Sequence, residues 1–171
     1  MRWFKKPSHT GDAVPKTLEA DQRISDILKP AHIKLNAEAV DRDEVVEELV
    51  DLLVQTGDVR NRKAAVKALL AREELGSTGI GKGAAVPHAT DASIERICAA
   101  LAISQNGLEF DSADGEPVRI VFLLLSQADN PGPSVRALVE IAQLIHNPHV
   151  IARLLAAKSP AEVLDIIRSE E

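Results

Sequence analysis

The sequence predicts an α/β fold in which a β-sheet is covered by helices on both faces. Two observations lead to this prediction. Apolar residues recur at helical spacing toward both ends of the chain, whereas the middle carries short apolar runs rich in Val and Ile. Hydrophobic residues make up 45% of the 171 residues, which is enough for a substantial core and excludes wholesale disorder. With 3 Phe, 1 Trp and no Tyr, that core must consist mainly of Leu, Val, Ile and Ala.

Two helices are predicted in the first half of the chain. Asp41 and Glu44 form a capping-box-like pair at the start of the first helix, and Gly57 ends it. The second helix is predicted over 61–74, with Gly76 as its terminator. The apolar residues behind Asp41 recur with helical spacing and form an inward face: Val45, Val46, Leu49, Val50, Leu52 and Leu53.

Short apolar runs predict strands at four places, namely 33–35, 84–86, 97–104 and 118–125. Helical spacing returns after them, with predicted helices over 134–145 and 148–157. A last helix opens at Ser159, which is followed by Pro160 and Glu162 in an arrangement typical of a helix N-terminus.

One domain is predicted over residues 18–171. Residues 1–17 are predicted to be a flexible leader, because Pro and Gly there interrupt any helical or strand periodicity. The leader carries basic and aromatic residues that could touch a membrane surface, although a solvated tail is the favoured interpretation. No apolar run approaches the roughly 18 residues of a transmembrane helix, so no stable membrane insertion is predicted. The single cysteine, Cys98, excludes an internal disulfide and indicates a core residue in a protein of the reducing cytoplasm.

The net charge of −6 argues against nucleic-acid binding, which usually requires a basic surface. Acidic residues are frequent over 41–51, which is predicted as a solvated helix face that could also meet a basic partner. His146 and His149 have a spacing that can chelate a metal on one helix. Because Pro148 interrupts that helix and no third ligand lies nearby in sequence, no metal site is predicted.

The strongest indication of function lies in the segment from Gly76 to His88, where four of the nine glycines fall within eight residues. Glycines let backbone amides approach an anion closely, which is typical of phosphate binding. The segment 76–82 copies the beginning of a P-loop, but Gly83 stands where a P-loop has its magnesium-binding Ser or Thr. A helix also precedes the segment, which is the wrong order of elements. A nucleotide-binding P-loop is therefore not predicted.

His88 is the candidate reactive residue. Pro87 restricts the backbone before it, so the imidazole is presented from a stiff position. A neutral imidazole nitrogen is nucleophilic near pH 7 and can accept a phosphoryl group. The added negative charge needs cationic or N–H partners. Those available are Arg72, Lys82 and the loop amides at Gly79, Gly81 and Gly83. The alternative is a structural histidine in an ordinary loop.

The run from Gly76 to His88 resembles the type-2 enzyme IIA domains of the bacterial phosphoenolpyruvate-dependent phosphotransferase system, in particular those of the fructose and nitrogen-regulatory branch. The Pro-His motif within its glycine segment is the specific part of the likeness. Weaker similarity extends over most of the chain, namely 24–28, Arg72-Glu73, 110–118, 121–125 and the helices after Val135. The resemblance implies a mixed β-sheet of about five strands between helical layers.

By this resemblance His88 is the phosphorylated residue, Arg72 steadies the phosphohistidine, and no metal or nucleotide cofactor is required. The chain would be a phosphocarrier that takes its phosphoryl group from HPr or the nitrogen-branch relative of HPr. It would pass the group to an enzyme IIB, or signal its state to a regulated kinase or transporter. The residues alone also leave open an unrelated phosphate- or nucleotide-binding enzyme that uses the glycine segment.

One departure from the family pattern bears on function. Family members usually carry a second active-site histidine just before a helix, whereas Ser134 stands at that position here. A hydroxyl donates one hydrogen bond but carries no titrating proton near pH 7, so onward transfer is expected to be less efficient. This departure favours an alternative function, a regulatory protein-binding module controlled by phosphorylation of His88. Helix capping alone would also explain Ser134.

Overall fold

The computed structural model describes residues 22–171, so the predicted leader and its boundary at residue 18 lie outside the described part of the chain. Within that part lie six α-helices: α1 Ile24–Ile27, α2 Arg42–Gln55, α3 Arg62–Glu74, α4 Gly132–His146, α5 Pro148–Ala156 and α6 Pro160–Arg168. There are six strands: β1 Ile33–Leu35, β2 Gly79–Gly81, β3 Ala84–Ala85, β4 His88–Asp91, β5 Cys98–Leu108 and β6 Val118–Gln127.

The strands form one mixed sheet in the order β1-β5-β6-β3-β2, with β4 also paired to β6. β5 and β6 are antiparallel, as are β2 and β3, whereas β1–β5, β3–β6 and β4–β6 are parallel pairs. β3 and β4 share one edge of β6, since Ala84 lies opposite Ile120 and His88 lies opposite Leu124. The predicted α/β fold with a mixed sheet is confirmed, with six strands in place of about five.

The sheet separates two apolar layers, as alternating side chains of β5 and β6 point to opposite faces. Leu101 and Phe122 pack in the layer formed with α1, α4, α5 and α6. Ala100 and Leu123 pack in the layer formed with α2 and α3. Because both faces are covered, these strands are apolar along their length, which is why the sequence marks them clearly. Cys98 lies in the second layer, and burial raises the pKa of its thiol to about 12, in keeping with a core residue.

Local capping explains why several helices begin where the sequence predicts. Asp41 Oδ1 accepts the backbone N–H of Glu44 at 2.9 Å at the start of α2. Ser159 Oγ accepts the N–H of Glu162 at 3.2 Å at the start of α6. Gly57 follows the end of α2 with a φ of 79°, a conformation that glycine adopts without strain.

Three features differ from the expectation. β2 and β4 were not predicted, since Gly79–Gly81 and His88–Asp91 have neither apolar alternation nor strong strand propensity. The helix predicted from residue 134 begins earlier, at Gly132, with Pro131 in the capping position. Ser134 is therefore inside the first turn of α4 and is not its cap. Its hydroxyl donates to the Pro131 carbonyl at 2.8 Å.

A buried histidine joins the short 3₁₀ turn Pro30–His32 to the connection between α2 and α3. His32 is fully buried, and its Nε2 lies 2.9 Å from Thr56 Oγ1 and 3.1 Å from Asp58 Oδ2. Its Nδ1 accepts the N–H of Lys29, so the proton of the neutral ring is on Nε2. Burial is the main cause that lowers the pKa of His32, and the Asp58 carboxylate partly opposes it. The Lys29 ammonium also binds Asp58, at 2.9 Å.

Acidification should destabilise the fold through His32. Because its pKa in the folded protein lies below the value of about 6.5 in an unfolded chain, the unfolded state binds the proton first as pH falls. The free energy of unfolding should therefore decrease as pH falls through about 6.5, until the folded ring is itself protonated. His32→Gln should flatten this part of the curve, and His146→Gln, at an exposed histidine, should not. Urea unfolding followed by circular dichroism measures all three, and equal slopes in wild type and His32→Gln would contradict the prediction.

Candidate active site

The glycine segment folds into a tight β-hairpin. β2 and β3 pair in antiparallel fashion, with Gly81 opposite Ala84, and the two residues between them form the turn. Those residues, Lys82 and Gly83, have φ values of 57° and 76°, the pattern of a type I′ turn that matches the twist of the two strands. Lys82 is a non-glycine residue in the left-handed region. Its backbone N–H donates to Asp114 Oδ2 at 3.0 Å, which holds the turn from outside the hairpin.

The hairpin packs against the connection between β5 and β6. Ser77 Oγ donates to the carbonyl of Phe110 at 2.9 Å, just before β2. A Cβ at Gly79 would lie 2.7 Å from Ser112 Oγ and 2.9 Å from Ser112 Cα, so only glycine permits this close approach. The Gly79 amide donates to Ser77 Oγ at 3.1 Å. The amides of Gly79 and Lys82 thus already have acceptors in the protein, and a phosphoryl group would have to displace a side chain to reach them.

A buried carboxylate ties the same segment to the end of α3. Glu73 is 3% exposed, and its Oε2 accepts the backbone N–H of Thr78 at 3.0 Å. Its Oε1 accepts the hydroxyl hydrogen of the same threonine. Both oxygens of one carboxylate therefore hold one residue, immediately before β2.

His88 lies at the first position of β4, half-buried. Its Nδ1 is 2.8 Å from the carbonyl oxygen of Val86. A carbonyl only accepts hydrogen bonds, so Nδ1 must carry the proton of the neutral ring. Nε2 is then left with its lone pair, and it has no hydrogen-bond partner among residues 22–171. An imidazole nitrogen with a free lone pair can act as a nucleophile.

The register of the sheet determines the direction in which His88 points. His88 lies opposite Leu124, and Leu124 packs in the layer of α1, α4, α5 and α6. Val86, two residues earlier, belongs to the same layer, whereas Ala89 packs in the layer of α2 and α3. Paired and alternate residues share a face of a sheet, so the His88 side chain is on the α4 side.

The structure brings neither of the two other predicted catalytic residues into hydrogen-bond contact with His88. Arg72 lies in the last turn of α3, which packs along β4, and its Nη1 donates to the Gly76 carbonyl at 2.9 Å. Its other guanidinium nitrogens have no hydrogen-bond partner in the described part of the chain. Ser134 is in the first turn of α4, the layer toward which His88 points, with its hydroxyl on Pro131.

The comparisons with known proteins agree on one family. The family model described as "Phosphoenolpyruvate-dependent sugar phosphotransferase system, EIIA 2" matches residues 26–170. The chain belongs to this EIIA family. It is 33% identical over 149 residues to the PTS system fructose-specific EIIABC component of Bacillus subtilis, which covers 87% of this chain and 24% of that protein. The chain thus spans about a quarter of the length of that relative.

Two further proteins resemble this EIIA chain over nearly their whole length. The PTS system fructose-specific EIIA component of Haloferax volcanii is 32% identical, over 84% of this chain and 94% of its own. The crystal structure of nitrogen regulatory protein IIA-Ntr from Neisseria meningitidis has 30% identity and a TM-score of 0.79, over 84% of this chain and 98% of that one. The predicted resemblance is confirmed, and the EIIA chain is a phosphoryl-transfer component of the phosphotransferase system.

These findings exclude the alternative of an unrelated nucleotide-binding enzyme. In the EIIA chain the glycine segment joins a helix to a hairpin, whereas a P-loop joins a strand to a helix.

His146 and His149 are both exposed and lie in different helices, α4 and α5. Over residues 22–171 no cluster of three potential metal ligands is found, and no helix there has the length and apolarity needed to span a membrane.

Sequence reasoning missed the part played by Glu73. The family resemblance includes Glu73 only as a member of the Arg72-Glu73 pair. The sequence gives no reason to expect its burial, because a glutamate near a helix end is usually exposed. The five-residue spacing between Glu73 and Thr78 does not mark the contact in the sequence, because a helix C-terminus leaves carbonyls rather than amides without partners.

Proposed function

We propose that His88 of this EIIA chain is phosphorylated on Nε2 by an HPr-like phosphocarrier, and that it passes the phosphoryl group to an enzyme IIB. The observation that carries the proposal is the hydrogen bond from Nδ1–H to the Val86 carbonyl, which leaves Nε2 with its lone pair. Membership of the EIIA family supports the type of reaction. The proposed compartment is the cytoplasm, and the single buried cysteine fits a reducing environment.

The transfer requires no proton movement at His88. The Nε2 lone pair attacks the phosphorus atom, the P–N bond of the donor breaks, and its electron pair returns to the donor ring. His88 then has a proton on Nδ1 and a phosphoryl group on Nε2, so the ring is cationic. The Val86 carbonyl and the phosphoryl oxygens both stabilise that charge. Discharge to an acceptor reverses these bond changes and restores the neutral ring.

Arg72 and Lys82 are the proposed partners of the phosphoryl oxygens. Arg72 is fixed through Nη1 to the Gly76 carbonyl, which leaves its other N–H groups to bind an anion. Lys82 has an exposed side chain at the tip of the hairpin that precedes His88. Because the amides of Gly79 and Lys82 are used within the protein, charge stabilisation rests mainly on these two side chains.

Exposed apolar side chains on two segments support docking of a protein partner. Leu75 and Ile80 precede the histidine, in the segment between α3 and β3, and are 84% and 45% exposed. Val135 and Val139 are one turn apart on α4 and are 57% and 52% exposed. Large exposed apolar residues that form a patch are typical of an interaction surface.

His88→Ala should abolish labelling by phospho-HPr, because His88 is the only histidine in the segment 76–88. Incubation with HPr, enzyme I and labelled phosphoenolpyruvate, followed by an acid-lability assay, measures the uptake. His146→Ala is the matched control, since His146 is an exposed helix-end histidine and should retain full labelling. Near wild-type labelling of His88→Ala would refute the proposed site.

Arg72→Ala should slow phosphoryl uptake by roughly tenfold or more while leaving the fold intact, because a charge partner of the transition state is lost. Arg72→Lys should recover only part of the rate, since a lysine lacks the planar fork of donors. Initial rates of labelling at several phospho-HPr concentrations give the comparison. If both variants react at the wild-type rate, Arg72 acts only as a cap on the Gly76 carbonyl.

Ser134→His should speed the discharge of phospho-His88 to an enzyme IIB, because an imidazole on the α4 side of His88 offers a proton and a charge that a hydroxyl does not. The stability change should be less than about 1 kcal/mol, as only one exposed hydroxyl bond is lost and no helix cap. The lifetime of phospho-His88 with and without the enzyme IIB domain of the fructose branch is the measurement, and Ser134→Ala is the control. An unchanged lifetime would remove Ser134 from the transfer site.

A further inference from the structure

We infer that Glu73 is a positioning residue for phosphoryl transfer: through Thr78 and Val86 it holds the ring orientation and the tautomer of His88. The inference rests on the proposed function of His88. Glu73 itself hydrogen-bonds neither His88 nor any residue beyond Thr78, so its action is indirect. It is distinct from Arg72, which is the proposed direct partner of the phosphoryl group.

An unbroken series of hydrogen bonds connects the carboxylate to the imidazole. Glu73 accepts both the backbone N–H and the hydroxyl hydrogen of Thr78. The carbonyl of Thr78 accepts the N–H of Val86 at 3.0 Å, across the base of the hairpin. The carbonyl of Val86 accepts Nδ1–H of His88 at 2.8 Å. The two links after Glu73 use the main-chain carbonyls of Thr78 and Val86, so a shift of Thr78 moves the acceptor of the His88 proton.

The side chain of Glu73 is buried, unlike most glutamates, which are exposed to solvent. The residue is 3% exposed, and burial of a carboxylate is costly unless charged or polar partners satisfy it. No lysine or arginine among residues 22–171 forms a salt bridge with it. The hydrogen bonds of its side chain all go to one threonine. The buried carboxyl group therefore acts on the position of Thr78.

Loss of the interaction between Glu73 and Thr78 should change the tautomer and the orientation of the His88 ring. If Val86 is free to shift, Nδ1–H loses its fixed acceptor, and the ring can rotate or move its proton to Nε2. In that tautomer Nε2 has no lone pair to attack phosphorus. Uptake then slows in proportion to the fraction of rings with the wrong tautomer or orientation, while the docking surface for the donor is unchanged.

The test compares Glu73→Ala, Glu73→Gln and Thr78→Val with Glu74→Ala. Glu74 is the next residue of α3, and its exposed side chain makes it the matched control. Long-range proton–nitrogen NMR correlations of the His88 ring, recorded at alkaline pH without any donor, report which nitrogen carries the proton. Initial rates of labelling over a range of phospho-HPr concentrations separate kcat from KM.

Glu73→Ala and Thr78→Val should raise the Nε2–H fraction and lower kcat by roughly tenfold or more, with little change in KM. Glu73→Gln should recover much of both, because its amide oxygen accepts the Thr78 N–H and its amide nitrogen donates to the hydroxyl. Glu74→Ala should match the wild type in both measurements. A purely structural role would lower stability in Glu73→Ala without changing the tautomer.

The outcomes separate this inference from the proposed function. A wild-type chain that takes up no phosphate at His88 refutes the proposed function, while the donor-free NMR comparison still tests the positioning role. If Glu73→Ala does not fold, Thr78→Val decides, since it has nearly the same size as the native residue and removes only the hydroxyl. An unchanged His88 tautomer and an unchanged rate in Thr78→Val would overturn the inference.

Discussion

The pairing of β3 and β4 with a single edge of β6 is the constraint on which the rest of the structure depends. β3 lies beside Ile120 and Val121, and β4 lies beside the residues from Leu124 to Gln127. Because β6 is buried on both faces, a slip of one residue would move every side chain to the other layer, so its register is strongly specified. The Pro87 carbonyl accepts the N–H of Leu124 at 3.0 Å, which fixes the backbone next to His88 on the edge of β6.

The parts of the fold that the sequence predicts are those specified by nearby residues. Helix starts at Asp41 and Ser159 follow from side chains that cap amides three residues away, and β5 and β6 follow from their apolar composition. β2 and β4 are different, because their residues become strands only through partners far along the chain. The start of α4 was displaced for a related reason. Gly132 and Pro133 fit a first helical turn, where the N–H that proline lacks has no acceptor.

The candidate site residues His88, Arg72 and the glycine segment follow from residue types, their order and the family resemblance, and their roles stay predictions. The glycines, however, serve a tight turn and a close approach to Ser112, so their amides are less open to an anion than the composition indicates. Those contacts join residues about thirty positions apart, a distance over which a single sequence carries no pairing information. Glu73 escaped notice because nothing in its neighbours marks a glutamate that becomes buried.

The hairpin packs on the β5–β6 connection through contacts between residues far apart in the sequence. Lys82 binds Asp114 and Ser77 binds Phe110, across 32 and 33 residues. β5 and β6 form an antiparallel pair from adjacent parts of the chain, which closes a much shorter loop and so has the lower entropic barrier. The hairpin has nothing to pack on until that pair exists, and β4 has no edge to join. Because the Val86 carbonyl that accepts the Nδ1 proton of His88 lies between β3 and β4, the conformation of the imidazole depends on the same pairing with β6.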